Sequence, residues 1–227
     1  MSSTVVDAFI KVVESMRSTV KFTVSSENNG VYTINADHDL NDYDYIKIGE
    51  SEYQVTNTAP GSFTFSSSAP IFDGEFINLK PYSMYGHKLE IANRLRDKDQ
   101  DSVYKYQKYP LIALSMPFSE DVQKDTVHGL KLNIAIVDNT SVRYLSEERY
   151  ENVIKPILEP LYNDFLEAVT RSGLFLFQGI VPEHTRIDRL FYGTDGEQPT
   201  NSEYIFDDAL DAIEIINLKV KLLKNNC

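Results

Sequence analysis

The side chains best placed to do chemistry in this chain are four histidines, two acidic runs and a tyrosine cluster. His38, His87, His128 and His184 are well separated, and none has a Cys or a second His within five positions. Zinc sites usually take two ligands from one short stretch so that local geometry fixes them, and this spacing argues against a histidine metal site. Asp97, Asp99 and Asp101 in DKDQDS have the opening spacing of a calcium loop. The loop fails at its sixth position, Ser102 in place of the turn-forming glycine, and at its twelfth, Lys108 in place of the closing glutamate. Asp37, Asp39, Asp42 and Asp44 in ADHDLNDYDY offer oxygens to an opportunistic divalent ion, or form a solvated turn.

Phosphate-cradling G-x-x-x-x-G-K-S/T, dinucleotide-binding G-x-G-x-x-G, the nucleophile elbow G-x-S-x-G and the zinc motif H-E-x-x-H are all missing from the sequence. Paired carboxylates for glycoside hydrolysis stay open, because the fold sets their separation. Sugar sites commonly stack aromatic faces, and the chain has no Trp, although 14 Tyr and 12 Phe are present to replace it. Tyr104, Tyr106 and Tyr109 alternate just ahead of an apolar run, and we read them as interface or core-edge residues.

The elements that must position these groups show in the periodicity. Val5, Val6, Phe9, Ile10, Val13 and Met16 recur at helical spacing, with Asp7, Lys11 and Glu14 opposite, which predicts an amphipathic helix capped by Ser3 or Thr4. From residue 19 the texture becomes short β-type runs, TVKFTV, GVYTI, DYIKI, EYQVT, SFTFS and EFINL. Asn28-Asn29-Gly30, Gly49-Glu50-Ser51, Pro60-Gly61 and Asp73-Gly74 separate them, each suited to a turn. A compact antiparallel module, a small barrel or sandwich, is expected. Residues 83–98 return to helical spacing, and YPLIALSM and LKLNIAIVD then read as core strands. Their polar link, FSEDVQKDTVHG, is too long for a tight turn and is expected to project as an arm. Ser146 starts a helix that Pro156 and Pro160 should break near Ile154, with a second helix from Glu159 to Gly173. A short strand in GLFLFQGIV, a loop, a short helix and a final strand, AIEIINLKVKLL, complete the order. The last strand changes phase, which a β-bulge at Ile215 and Ile216 would reconcile.

The fold class expected is α+β, a mixed sheet packed by helices, with the antiparallel β-module inserted near the N-terminus. The divisions are 1–18 for the N-terminal helix, 19–82 for the inserted module and 83–227 for the main domain.

Composition limits the partners. A formal net charge of −12 over 227 residues argues against a protein that grips nucleic acid or an anionic membrane through clustered Lys and Arg. The one cysteine, Cys227, allows no intramolecular disulfide. Asp7, Lys11 and Glu14 interrupt the apolar core of a signal peptide, and no run approaches a membrane-spanning length. A soluble protein of a reducing compartment is expected, with no cofactor and no metal.

The series KYPLIALSMPF, LKLNIAIVDNT, RYENVIKPILEPLYNDFLEAV and DDALDAIEIINLKVKL, over about residues 84–223, resembles neck and tail-connector proteins of tailed bacteriophages. It is most similar to the tail-terminator type, as in the crAss-like phages of gut Bacteroidota. That resemblance implies a non-enzymatic virion protein, assembled in the host cytoplasm, whose copies form a closed ring between portal and tail. It implies other neck, tail or portal proteins as partners, DNA that passes without specific binding, and no membrane contact. A ring needs two unlike complementary patches on each subunit. The candidate interface residues are Tyr104 and Tyr106, Glu120 and Asp121 in the first polar arm, and Asp195 and Glu197 in the second, GTDGEQPTNSE. A lumenal acidic excess would repel phosphates and let DNA slide. The rival readings are a tail adhesin or receptor-binding module, and a carboxylate-dependent hydrolase.

Overall fold

Turn chemistry closes the Arg17–Lys80 stretch of the chain on itself. The computed structural model describes residues 2–101, 104–123, 127–177, 182–190 and 208–223. Strands β1 (Thr19–Asn28), β2 (Val31–Asn35), β3 (Tyr45–Ile48), β4 (Ser51–Ala59), β5 (Ser62–Ser66) and β6 (Gly74–Asn78) form a closed barrel in the order β1-β2-β5-β4-β3-β6. Every pairing in it is antiparallel. Asn29 and Gly30 take φ of 52° and 79° between the paired Asn28 and Val31, the left-handed pair that a two-residue hairpin needs. Alternate residues point inward, so Phe22, Ile34, Ile46, Val55, Phe63, Phe65 and Phe76 share one buried core. The acidic run is a solvated turn except at its end, with Asp37, Asp39 and Asp42 exposed and Asp44 buried. Asp44 is buried against Lys80 at 2.6 Å, Asp42 accepts from the Thr58 hydroxyl at 2.8 Å, and Asp39 accepts from Asn78 at 3.3 Å.

The barrel unit spans Arg17–Lys80, and Met1–Met16 with Pro81–Cys227 form the other. That second unit is built on a six-stranded sheet. Its strands are β7 (Tyr82–Gly86), β8 (Leu111–Gln123), β9 (Val127–Asn139), β10 (Phe175–Phe177), β11 (His184–Leu190) and β12 (Leu210–Leu223), in the order β10-β12-β9-β8-β7 with β11 also on β12. Strand β7 runs parallel to β8 and the other pairings are antiparallel, which makes the sheet mixed. The fold is α+β with an inserted antiparallel barrel.

One face of the sheet is covered by helices. Val5, Phe9, Val12 and Val13 of α1 (Ser2–Ser15) join Phe165 and Val169 of α4 (Glu159–Arg171) over Ile112, Leu114, Leu132, Ile134, Ile213 and Val220. Burying such aliphatic and aromatic side chains contributes roughly 1.5–3 kcal/mol each. Ser3 and Thr4 are themselves helical and do not precede the helix as caps. On the other face lies α2 (Lys88–Gln100), with Ile91, Ala92 and Leu95 buried and Lys88 reaching Glu214 at 3.4 Å.

Four sequence expectations change. Helical spacing holds only from Lys88, because residues 82–86 pair with β8 as a strand. The link FSEDVQKDTVHG is mostly ladder: β8 and β9 stay paired out to Gln123 and Val127. Pro156 does not break its helix. The short α3 (Ser146–Arg149) runs into a π-helical segment, Tyr150–Leu158, and on into α4, with the Glu159 N–H bonded to Ile154 O. The wide turn relieves the clash between a proline ring and the carbonyl four residues back. Finally, the expected loop before the last strand contains β11, while the expected short helix lies outside the described residues.

Candidate functional site

Two ion-pair clusters fix one end of the sheet. Arg149 and Asp211 are 1% and 0% exposed and meet at 2.7 Å. Three more guanidinium hydrogens are used as well, Nε donating to Tyr144 O, Nη1 to the Thr140 hydroxyl and Nη2 to Ser141 O. On the α2 side Lys108 Nζ donates to Asp99 at 2.5 Å and to Asp208 at 2.7 Å, and Tyr109 Oη donates to the same Asp208 oxygen at 3.2 Å. Burial pushes the Tyr109 hydroxyl well above the usual tyrosine range, and the Asp208 charge pushes it further. Asp208 and Asp211 flank the start of β12, so the clusters hold that strand from both sides of the sheet. The Asp97–Asp101 run is accounted for here: Asp97 and Asp99 lie in the last turn of α2, whose C-cap is Asp101, so no calcium loop forms.

Halfway along the sheet both neighbours of β9 carry extra residues at the same level. Between Ser115↔Asn133 and Ser119↔Lys131 the β8 chain is longer than β9. Between Ile215↔Ile134 and Leu218↔Leu132, β12 likewise sets two residues, Ile216 and Asn217, against the single Asn133, with Asn217 at φ 59°. The phase change of AIEIINLKVKLL is thus a bulge, one residue later than the sequence suggests. It puts Ile213 and Ile215 with Leu218, Val220 and Leu222 in one core and turns Ile216 outward. Asn133 joins the two bulges, accepting from Asn217 N at 3.1 Å and donating to Pro117 O at 3.1 Å. An open depression of about 200 Å³ lies at this level, lined by Lys88, Ser115, Asn133, Glu214 and Ile216.

Beyond the bulges the face away from α1 and α4 is open to solvent. Lys131 and Lys219 are directly opposed across the β9–β12 ladder, with Lys221 and Leu223 next on the same side and Leu176 paired to Lys221. Ile216, Leu176 and Leu223 are 57%, 51% and 39% exposed. Among the residues whose side chains are described none of these three lysines has an ion-pair partner, and Asp121 shares their face by register, across Gly129 from Lys221. Behind the same half of the sheet, α4 presents exposed Asp164 and Glu167. They line an open depression of about 490 Å³ with Met16 and Arg171. Arg171 is paired with Glu167, which leaves Asp164 as the carboxylate of that depression outside an ion pair. The unit therefore carries a basic, partly apolar surface on one side and, on the other, one whose lining has a single net negative charge.

The structure spreads the sequence candidates widely. Tyr104 and Tyr106 are exposed in the turn ahead of β8, whereas Glu120 and Asp121 lie on its far half, paired to Leu130 and Gly129. From Tyr106 to Glu120 the chain covers roughly 30–40 Å at strand rise, so these are not one patch. Asp195 and Glu197 lie outside the described residues. The histidines do not converge either. His38 Nδ1 accepts from Leu40 N inside the barrel unit, His87 precedes α2, His128 is a β9 ladder residue and His184 packs on Tyr162. Among the described residues no group of three His, Cys, Asp or Glu is arranged to hold a metal. No described helix is long and apolar enough to cross a membrane. The lysine face was missed from sequence, though the alternations L-K-L in β9 and L-K-V-K in β12 were the available signal. No family model, curated protein or solved structure matches the chain.

Proposed function

We propose that this chain is a structural, non-enzymatic protein of a tailed-bacteriophage neck or tail. Its copies form a closed ring that joins portal and head to tail and lines the DNA conduit. One observation carries the reading: the far half of the sheet is covered on one face only, and its open face exposes Ile216, Leu176 and Leu223 among lysines. Exposed apolar side chains set among charge on an uncovered sheet face suit a protein–protein contact surface. The order and texture of residues 84–223, which resemble tail-terminator proteins, direct that surface to a ring. The excess of acidic residues then faces the channel, where repulsion of phosphates keeps DNA moving.

Particle images and sedimentation of the purified protein test this, together with immunogold labelling of virions. A closed ring of about six to twelve copies, or labelling at the neck, is the expected result. A monomer at all concentrations that is also missing from purified virions overturns it.

A further inference from the structure

Two surfaces on opposite sides of one sheet have opposite charge, and that arrangement restricts how copies can meet. A contact of the open face with its own copy would bring Lys131, Lys219 and Lys221 against three further lysines. A contact of that face with the helix side of another copy brings the same lysines to Asp164 and to Glu167, which they would share with Arg171. Like charges opposed on a ladder are unfavourable in the isolated chain, and the Lys131–Lys219 pair is relieved only when a carboxylate arrives. Such a contact also removes Ile216, Leu176 and Leu223 from water. A polyanion such as duplex DNA would neutralise the lysines but leave these three apolar side chains exposed, and the net charge of −12 opposes its approach.

We infer that copies of this chain join head to tail, the lysine face of one seated on the acidic α4 face of the next. This rests on the ring reading above and adds the two surfaces that make the joint. The contact is heterologous, the kind that closes into a ring when its rotation divides the circle.

Paired charge reversals test it. One variant carries Lys131→Glu, Lys219→Glu and Lys221→Glu; the other carries Asp164→Lys and Glu167→Lys, all exposed or half-exposed positions. Sedimentation and native mass measurement at low salt should show assembly of the unaltered protein and its loss in either variant alone. An equimolar mixture should regain it, because each acidic sheet face then meets a basic helix face. Lys219→Glu alone faces Lys131 and should melt no lower than the parent, which separates lost assembly from lost folding. If the parent forms rings and both variants still assemble alone, the joint is overturned while the ring reading stands. If the parent is monomeric and missing from virions, both fall. If the parent retains duplex DNA through these lysines and assembles regardless of the reversals, the surface serves a polyanion and the inference is overturned.

Discussion

The two halves of the C-terminal sheet are built from the same three long strands and solve opposite problems. In the first half, Leu111–Ser115, Asn133–Asn139 and Leu210–Ile215 are covered on both faces and held by Arg149–Asp211 and the Lys108 cluster. In the second, residues 119–123, 127–132 and 218–223 keep a core on one face only, and the other face carries Lys131, Lys219 and Lys221. The bulges around Asn133 are the border. A bulge adds local twist and re-aims the strand, so two at one level allow the far half to face elsewhere without disturbing the near half. The buried ion pairs are concentrated in the near half, and the open half is built without them.

The largest effect should come from the near half. Arg149→Ala leaves Asp211 as a buried charge without its guanidinium and is expected to cost about 3–5 kcal/mol. Urea denaturation reads it, and a variant with the parent's midpoint would show that this cluster does not anchor the sheet. The double change Arg149→Met with Asp211→Leu should recover only part, since Tyr144 O and Ser141 O also lose their donors.

Cutting the border should cost less and act on one side of it. Asn133→Ala removes an acceptor from Asn217 N–H and a donor from Pro117 O, both near solvent, for about 1 kcal/mol. Amide exchange should rise at Asn217 and in the far half while Ile136 and Ile213 stay protected. Equal acceleration in both halves would mean that the bulges do not separate them.

How much of this was readable from sequence follows the same border. The barrel was legible because Phe63 and Phe65, or Ile46 and Ile48, alternate with polar residues and Asn29-Gly30 allows one hairpin geometry. The near half of the sheet was legible for a related reason: LIAL and NIAIV are apolar on both faces. The far half of β8 is SEDVQ, an edge strand whose polar residues protect it from pairing with other chains and so imitate a loop. Strand β11 is hidden likewise, with only Ile187 half-buried among exposed His184, Thr185, Arg186 and Asp188. Lys108 and Asp208 are 100 residues apart, and no local pattern announces such a pair. Pro156 misled because a proline forbids an α-turn but not the wider π-turn that carries it.

The smallest effect at neutral pH belongs to Tyr109, and it grows with alkali. The ordinary value is 10.0, and in the folded chain the hydroxyl is held well above it by burial and by Asp208. Below about pH 10 the phenol is protonated in both states, so its contribution to stability is constant there. Above that the unfolded chain ionises Tyr109 and the folded chain does not, so stability falls with rising pH, by up to about 1.4 kcal/mol per pH unit from this group. Tyr109→Phe loses one hydrogen bond to Asp208, about 1 kcal/mol near pH 8. It should also lose this alkaline sensitivity, so parent and variant converge or cross as the pH approaches about 11. Denaturant midpoints at both pH values read the difference. A parent and variant that decline in parallel would show that Tyr109 ionises as freely in the folded chain as outside it, and that the near half is less closed than its buried ion pairs imply.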